Sequence, residues 1–291
     1  MNPERIQADA LTPKDTPGWR HPACDLVEFK ARRSRYCLCI FVLNECARLR
    51  SQLHKMRDVC RDWDTLLVDG GSEDGSNDHG MLQAGGIRAL LIKRGPGRLG
   101  AQMQMAFAYA LQAGYGGVIT VDGNDKDDVS AGLPHFVEKL DQGFDHIQGS
   151  RFLPGGRHRN TPRSRLLGVR LLHAPLISLA SGFRHTDTTN GFRAYSRHFL
   201  TRPEICRPGS LRTGYELHYF LSLNAVRHGT WAIEVPVTRI YPDSGLLPTK
   251  IHGWRGNLRI LLVLLKEVFG HIIGQLIFCP RHRTRRRQPP P

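Results

Sequence analysis

No C-x-x-C pair occurs in this sequence. Its seven cysteines, Cys24, Cys37, Cys39, Cys46, Cys60, Cys206 and Cys279, are scattered and odd in number. That excludes a paired-cysteine zinc site and points to reduced thiols in a cytosolic compartment. An apolar signal core is missing from residues 1–35, which are polar and rich in proline and charge, so this segment reads as a flexible leader. A run of the roughly 18 apolar residues needed to span a membrane is missing too. Residues 258–279 come closest, but Arg259, Lys266, Glu267, His271 and Gln275 interrupt them. There is no internal repeat and no long low-complexity stretch. Acidic charge is scarce: 26 Asp and Glu face 41 Lys and Arg, a formal net charge of +15. Such an excess favours phosphate-bearing substrates, anionic membrane surfaces or nucleic acid. Part of it is a tail, because Arg281, Arg283, Arg285, Arg286 and Arg287 crowd the last residues.

What is present is 291 residues with 40% hydrophobic content, enough for one large domain plus tails. Short apolar runs alternate with segments of helical spacing. Residues 36–42 read as a strand and are followed by Leu49, Leu53 and Met56 on one helical face. Residues 65–68, 87–93 and 117–121 read as further strands, with a helix over 100–113. Ser130 can cap a helix to about Leu140, before a strand at 145–148. The second half is less regular, with helical stretches at 166–180 and 215–227 and strand-like stretches from Gly191 and at 231–237. Alternation of this kind predicts an α/β domain with a largely parallel sheet, whose ligands sit at the carboxyl ends of strands.

Two such strand ends are rich in carboxylates. Residues 68–75 read V-D-G-G-S-E-D-G. Asp69 can accept hydrogen bonds from a base or ribose, and the glycines let a ligand approach the backbone. The bland alternative is a tight turn in which Asp74 or Ser76 caps a helix. Residues 121–128 read V-D-G-N-D-K-D-D. Hard divalent ions seek oxygen donors of this kind, with a bound diphosphate completing the shell. The alternative is a solvated acidic loop in which Asp127 or Asp128 helps to start the next helix.

Together with V-L-N-E at 42–45, these turns resemble family 2 glycosyltransferases, especially the polyprenyl-phosphate branch, over roughly residues 36–255. The resemblance implies an α/β GT-A fold: Rossmann-like, three-layered, with a mostly parallel central sheet. It implies that Asn44, Glu45, Asp69, Gly71, Ser72, Asp122, Gly123, Asn124 and Lys126 border a nucleoside-diphosphate sugar. It also implies a divalent cation, Mg or Mn, at Asp122 and Asn124, with Asp125 as an alternative helper. This chain departs from the pattern in three places: Gly70 stands where a second Asp is frequent, and Asn124 and Lys126 stand in a D-x-D-x-Q string. A charged lysine cannot ligate a cation, so Lys126 is expected to neutralise the diphosphate instead. Further along, Q-G-S-R-F at 148–152 resembles the family's G-S-R-Y/F, and D-T-T-N-G-F-R-A-Y at 187–195 resembles its D-x-x-S-G-F-R-A. E-V-P-V at 234–237, followed by Arg239, Gly245, Thr249 and Lys250, resembles its strand and basic loop.

The activity implied is transfer of a sugar, with inversion at the anomeric carbon, to an acceptor. A hydroxyl acceptor needs a general base, whereas a lipid phosphate is already ionised and needs orienting cations. Arg151, Arg193, Arg239 and Lys250 are the candidate phosphate ligands, and Asp122, Arg151 and Asp187 the candidate catalytic groups, Asp187 as base or merely as a partner of Arg193. A polyprenyl phosphate is therefore the expected acceptor, with a saccharide hydroxyl as the alternative. A non-catalytic protein with a degenerate site is the reading from a different class. The missing interleaved aromatics of RNA platforms argue against nucleic acid. The expected organisation is a leader at 1–35, a catalytic domain at 36–255, an amphipathic and membrane-associated helix at 256–280, and a basic, Pro-rich tail at 281–291. That places the chain in the cytoplasm, peripheral to the membrane's cytoplasmic face.

Overall fold

Seven consecutive buried residues, Tyr36–Val42, form the central strand of the sheet. Such a run is what a strand covered on both faces requires. A computed structural model describes residues 5–7, 18–206, 212–242 and 253–277. In chain order the first half comprises β1 (Arg5–Gln7), β2 (Cys24–Glu28), β3 (Tyr36–Val42), α1 (Cys46–Lys55), α2 (Arg57–Asp62), β4 (Asp64–Asp69), α3 (His79–Ala84), β5 (Ala89–Lys93), α4 (Leu99–Gln112), β6 (Gly117–Asp122) and α5 (Val129–Asp141). The second half comprises β7 (His146–Ser150), β8 (Arg157–Arg159), α6 (Arg163–Gly168), a π-helical stretch (Val169–His173), α7 (Ala174–Ser181), β9 (Arg193–Ser196), α8 (Arg197–Leu200), α9 (Pro203–Cys206), α10 (Glu216–Leu223), β10 (Ala232–Pro236), β11 (Thr238–Ile240) and α11 (Gly253–Ile277).

The main sheet has the order β1-β2-β5-β4-β3-β6-β9-β7-β10. Strands β5, β4, β3 and β6 pair in parallel, as do β7 and β10, while β9 lies antiparallel between β6 and β7. The period-two alternation of β3 divides the core. Cys37, Cys39 and Phe41 pack with Met103, Ala106 and Phe107 of α4 on one face. Leu38, Ile40 and Val42 pack with Leu49, Val59, Leu133 and Phe136 of α1, α2 and α5 on the other. The three layers and the mostly parallel sheet agree with the sequence expectation.

Three expectations are corrected. Residues 18–35 are not a free leader: Cys24–Glu28 pairs antiparallel with β5, and the Trp19 indole is buried and donates to the Leu200 carbonyl at 3.0 Å. The cap of α5 is Asp128, whose carboxylate accepts from the Ala131 N–H at 3.1 Å, rather than Ser130. The helix expected across 166–180 is broken into α6, the π-helical stretch and α7. The C-terminal helix α11 packs through Leu264 and Val268 on Ile177 of α7 and on Tyr219 and Leu223 of α10. No helix among the described residues is long and apolar enough to cross a membrane.

Candidate functional site

The loops after β3, β4 and β6 meet at the carboxyl end of the sheet, where a parallel sheet offers its binding crevice. The first two are sewn together by side chains. The Asn44 N–H donates to Ser72 Oγ at 2.8 Å, the Glu73 N–H to Asn44 Oδ1 at 2.9 Å, and the Cys46 N–H to Asp74 Oδ2 at 2.8 Å. Asn44 takes φ 52°, a left-handed conformation that asparagine tolerates better than most residues. Glu45 is held by Arg48. Asp69 is buried, and its oxygens accept from the N–H groups of Gly71 at 3.0 Å and Ser72 at 2.9 Å and from the Ser72 hydroxyl. As placed, Asp69 organises the turn, and Gly71 beside it is exposed. The structure also accounts for Gly70: a Cβ there would lie 3.2 Å from Gln102 Nε2, which ties the Val42 and Val68 carbonyls together at 2.8 Å each.

The third loop carries the densest chemistry. Its backbone is zipped to β11, with the Asp128 N–H donating to Thr238 O at 3.0 Å and the Ile240 N–H to Lys126 O at 2.8 Å. That pairing sets Arg239 against the acidic turn. Its Nη2 donates to Asp122 Oδ2 at 2.9 Å, and its Nη1 to Asp127 Oδ2 and, at 3.2 Å, to Asn190 Oδ1. Burial alone would raise the Asp122 pKa, but Arg239 and Lys126 outweigh it and hold the group below the usual carboxylate range. For Asp127 burial wins, and its pKa rises. Burial, then the neighbouring Arg239, lowers the Lys126 ammonium to about 7. Lys126 Nζ sits 4.9 Å from the centre of the Tyr241 ring, in cation–π contact. Asp125 faces away, accepting from Ser51 Oγ and Lys55 Nζ at 2.7 Å each, so it is no helper at Asp122.

The arginines of the later motifs divide. Arg151 is buried in a bidentate pair with Asp187, Nε to Oδ2 at 2.6 Å and Nη2 to Oδ1 at 2.9 Å. Burial raises the Asp187 pKa by itself, but Arg151 pulls it below the usual range. Asp187 therefore pairs with Arg151, not with Arg193. Glu234 holds this loop from behind, accepting from the Thr186 N–H at 2.9 Å and the Asp187 N–H at 3.2 Å. Arg193 is also buried, and it donates to the carbonyls of Asn190 at 2.9 Å, Thr188 at 2.7 Å and His218 at 3.2 Å and to Ser222 Oγ at 3.1 Å. With those donors engaged, Arg193 is a latch between β9 and α10 rather than a phosphate ligand. Gly245, Thr249 and Lys250 lie outside the described residues.

Sequence reasoning placed Asp122, Gly123, Asn124 and Lys126 in one turn and set Arg239 among the acceptor-phosphate ligands, whereas the structure pairs Arg239 with Asp122. It missed Asp127 as a partner of Arg239, and it missed Tyr241 and Arg165, whose Nη1 donates to the Tyr241 hydroxyl at 2.8 Å. The signal for Tyr241 was its position two residues beyond Arg239, on the same side of an extended chain. Two oxygens suit a hard divalent ion. Asp122 has a second carboxylate oxygen, and Asn124 Oδ1 is buried without a hydrogen-bond partner among the described residues. No cluster of three or more His, Cys, Asp or Glu able to hold a metal occurs among the described residues. Asp122 and Asn124 are thus the turn's two candidate oxygens for an ion, one of them already paired with Arg239.

Gly191 lets the 187–195 loop pass this carboxylate, since a Cβ there would lie 2.9 Å from Asp122 Oδ1. Gly191→Ala is expected to destabilise the fold by about 1–3 kcal/mol through this overpacking. Urea unfolding measures it, and an unchanged midpoint would mean that the loop yields freely.

No protein-family model matches the chain. It is 28% identical over 236 residues to a polyprenol monophosphomannose synthase of Mycolicibacterium smegmatis, covering 80% of this chain and 86% of that protein. It is 28% identical over 204 residues to an undecaprenyl-phosphate mannosyltransferase of Micrococcus luteus, covering 69% and 82%. Among solved structures it resembles glucosyl-3-phosphoglycerate synthase from Mycobacterium tuberculosis in complex with Mn2+, UDP and glucosyl-3-phosphoglycerate. That match has a TM-score of 0.51 and 17% identity, covering 82% of this chain and 79% of the other. The same enzyme in complex with Mg2+ and UDP matches with a TM-score of 0.51 and 16% identity, covering 82% and 78%. At such identity the likeness to the solved structures is one of fold.

Proposed function

We propose that this chain, a glycosyltransferase of the GT-A fold related to the polyprenyl-phosphate branch of family 2, moves a hexose from a nucleoside-diphosphate sugar to a polyprenyl phosphate with inversion. The observation that carries this reading is the Asp122–Arg239–Asp127 cluster, with Arg239 and Asp127 buried and Asp122 part-exposed, beside Lys126 at the carboxyl end of β6. An acceptor phosphate oxygen attacks the anomeric carbon, the bond from that carbon to the diphosphate breaks, and its electron pair leaves on the diphosphate. Positive groups fixed where that charge develops lower the barrier. A divalent ion bound with the donor would have Asp122 and Asn124 as its protein oxygens and would add charge there.

A phosphate acceptor agrees with the state of Asp187. This candidate base is fully buried and bound to Arg151, so it has no capacity to take a proton from a hydroxyl. The relatives' names put mannose first among the sugars to test.

A lipid acceptor calls for a membrane-facing surface. Leu167, Leu171 and Leu179 of the α6–α7 segment and Leu258, Leu262, Phe269, Ile272 and Ile273 of α11 are exposed large apolar residues on elements that pack together. Arg163 of α6, Arg184 just after α7, and Arg259 and Lys266 of α11 are exposed as well. Apolar residues rimmed by cations suit an anionic bilayer surface. Arg165 of α6 connects this surface to Tyr241 and the acidic turn. The reading places the chain peripherally at a membrane's cytoplasmic face, in keeping with the free thiols of Cys24, Cys37, Cys39, Cys46, Cys60 and Cys206.

The test supplies the full chain with GDP-mannose or UDP-glucose and with polyprenyl phosphate in anionic vesicles, and measures hexosyl lipid. Asp122→Asn is expected to lower transfer about 100-fold or more. The pair Leu171→Asp and Leu179→Asp is expected to lower transfer to the vesicle-borne acceptor about tenfold while sparing a short, water-soluble prenyl phosphate. Transfer to a saccharide hydroxyl in place of the lipid would overturn the acceptor assignment.

A further inference from the structure

Two cations, Lys126 and Arg239, stand at the acidic turn where a metal site would be expected to offer oxygens. Arg239 occupies one oxygen of Asp122 at 2.9 Å, so the carboxylate best suited to a divalent ion is already ion-paired. The next oxygen along the turn belongs to Asn124, a neutral amide and so a weaker ligand than a carboxylate for a hard cation. Two residues further stands Lys126, buried, its carbonyl fixed to β11 and its ammonium seated against Tyr241. Each of these features weakens the hold on a divalent ion, and each cation strengthens the hold on a diphosphate.

We propose that Lys126 and Arg239 together take the place of the divalent ion in binding the donor's diphosphate, so that the nucleotide binds without a metal. The inference rests on the nucleoside-diphosphate donor proposed above. Arg239 spans Asp122 and Asp127 as a rigid fork and so fixes one positive group at the end of β6. Lys126 supplies a compact second charge from the turn itself. Both charges belong to side chains fixed by the fold at the end of β6, so no ion need be recruited from solution. Any divalent ion that enters at Asp122 and Asn124 then adds to an existing site rather than creating it.

Isothermal titration calorimetry of the full chain with UDP and with GDP, each in excess EDTA and in Mn2+, tests this directly. At least one nucleotide is expected to bind the unaltered chain in EDTA with a Kd within about threefold of that in Mn2+. Lys126→Gln is expected to weaken binding in EDTA about tenfold, with Mn2+ restoring most of the loss. The double substitution Asn124→Asp and Lys126→Gln is expected to bind only with Mn2+. Binding by the unaltered chain only in Mn2+ overturns the proposal without a variant having to fold. Equal affinity of Lys126→Gln and the unaltered chain in EDTA overturns it as well. Failure of both nucleotides under both conditions has a different meaning: it removes the donor reading, and this inference with it.

Discussion

Replacing Arg239 with alanine is expected to destabilise the fold by about 3–5 kcal/mol, the cost of removing one partner from a buried charge cluster. The guanidinium is 6% exposed, and of the two carboxylates it holds Asp127 is 0% exposed and Asp122 27%. Without Arg239 the Asp127 carboxylate keeps only the weaker pull of Lys126 against its burial, and it is expected to take up a proton or pull the turn towards water. The loss is read from urea or thermal unfolding at pH 7. Arg239→Lys keeps a charge but lacks the fork that reaches both acids, so it is expected to recover only part of the stability. Adding Asp127→Asn to Arg239→Ala removes the stranded charge and is expected to return stability, while transfer activity stays lost. That split separates the structural role of Arg239 from its role at the diphosphate. A single Arg239→Ala change of less than about 1 kcal/mol, the range of a surface pair, would sink the argument.

The same cluster marks where the sequence was legible and where it was not. The strands β3, β4, β5 and β6 were readable because each has a mostly apolar centre, as a strand covered on both faces favours. The acidic turns were readable because they follow such strands. Strand β2 was not, since Cys24–Glu28 holds few apolar residues among polar and proline-rich neighbours, and its pairing with β5 is a long-range event. Strand β9 was read from Gly191, but its antiparallel place between β6 and β7 is set by long-range pairing in the same way. Within the site, Asp125 and Asp127 are equivalent in the string yet point to opposite sides, one to Lys55 and one to Arg239. The choice between them is made by φ 56° at Asp125 and by the ladder to β11, neither of which has a local signature. Arg151 and Arg193 were candidate phosphate ligands, with Asp187 set against Arg193 rather than Arg151, for the same reason. Their partners, the Asp187 carboxylate and a set of backbone carbonyls, are brought to them only by the fold.

Stability is expected to fall steeply as the pH drops from 6.5 towards 4, before most carboxylates protonate. Three histidines on β7, in the loop before β9 and on α10 are buried close to Arg193, namely His146, His185 and His218. Burial first and the arginine second disfavour their charged forms. His218 is pushed down to about 3 and His185 to about 4 from 6.5, and His146 is pushed well below 6.5. In the unfolded chain each takes up its proton near 6.5, so below that pH the unfolded state binds more protons than the native one. The stability these groups confer is complete above pH 6.5 and is lost progressively as the pH falls towards their native values. Each such group removes about 1.4 kcal/mol per pH unit across this window. Salt-bridged carboxylates lose stability in the same direction and differ only in where the window lies, since theirs runs from the ordinary carboxylate value down to the depressed pKa of groups such as Asp187. Chemical unfolding at pH 7, 6, 5 and 4 measures the slope. His185→Phe, which leaves an aromatic ring without a titrating nitrogen, is expected to flatten it by about one group's share. A midpoint that does not move between pH 7 and 5 would mean that these rings are reached by water and protons in the native state.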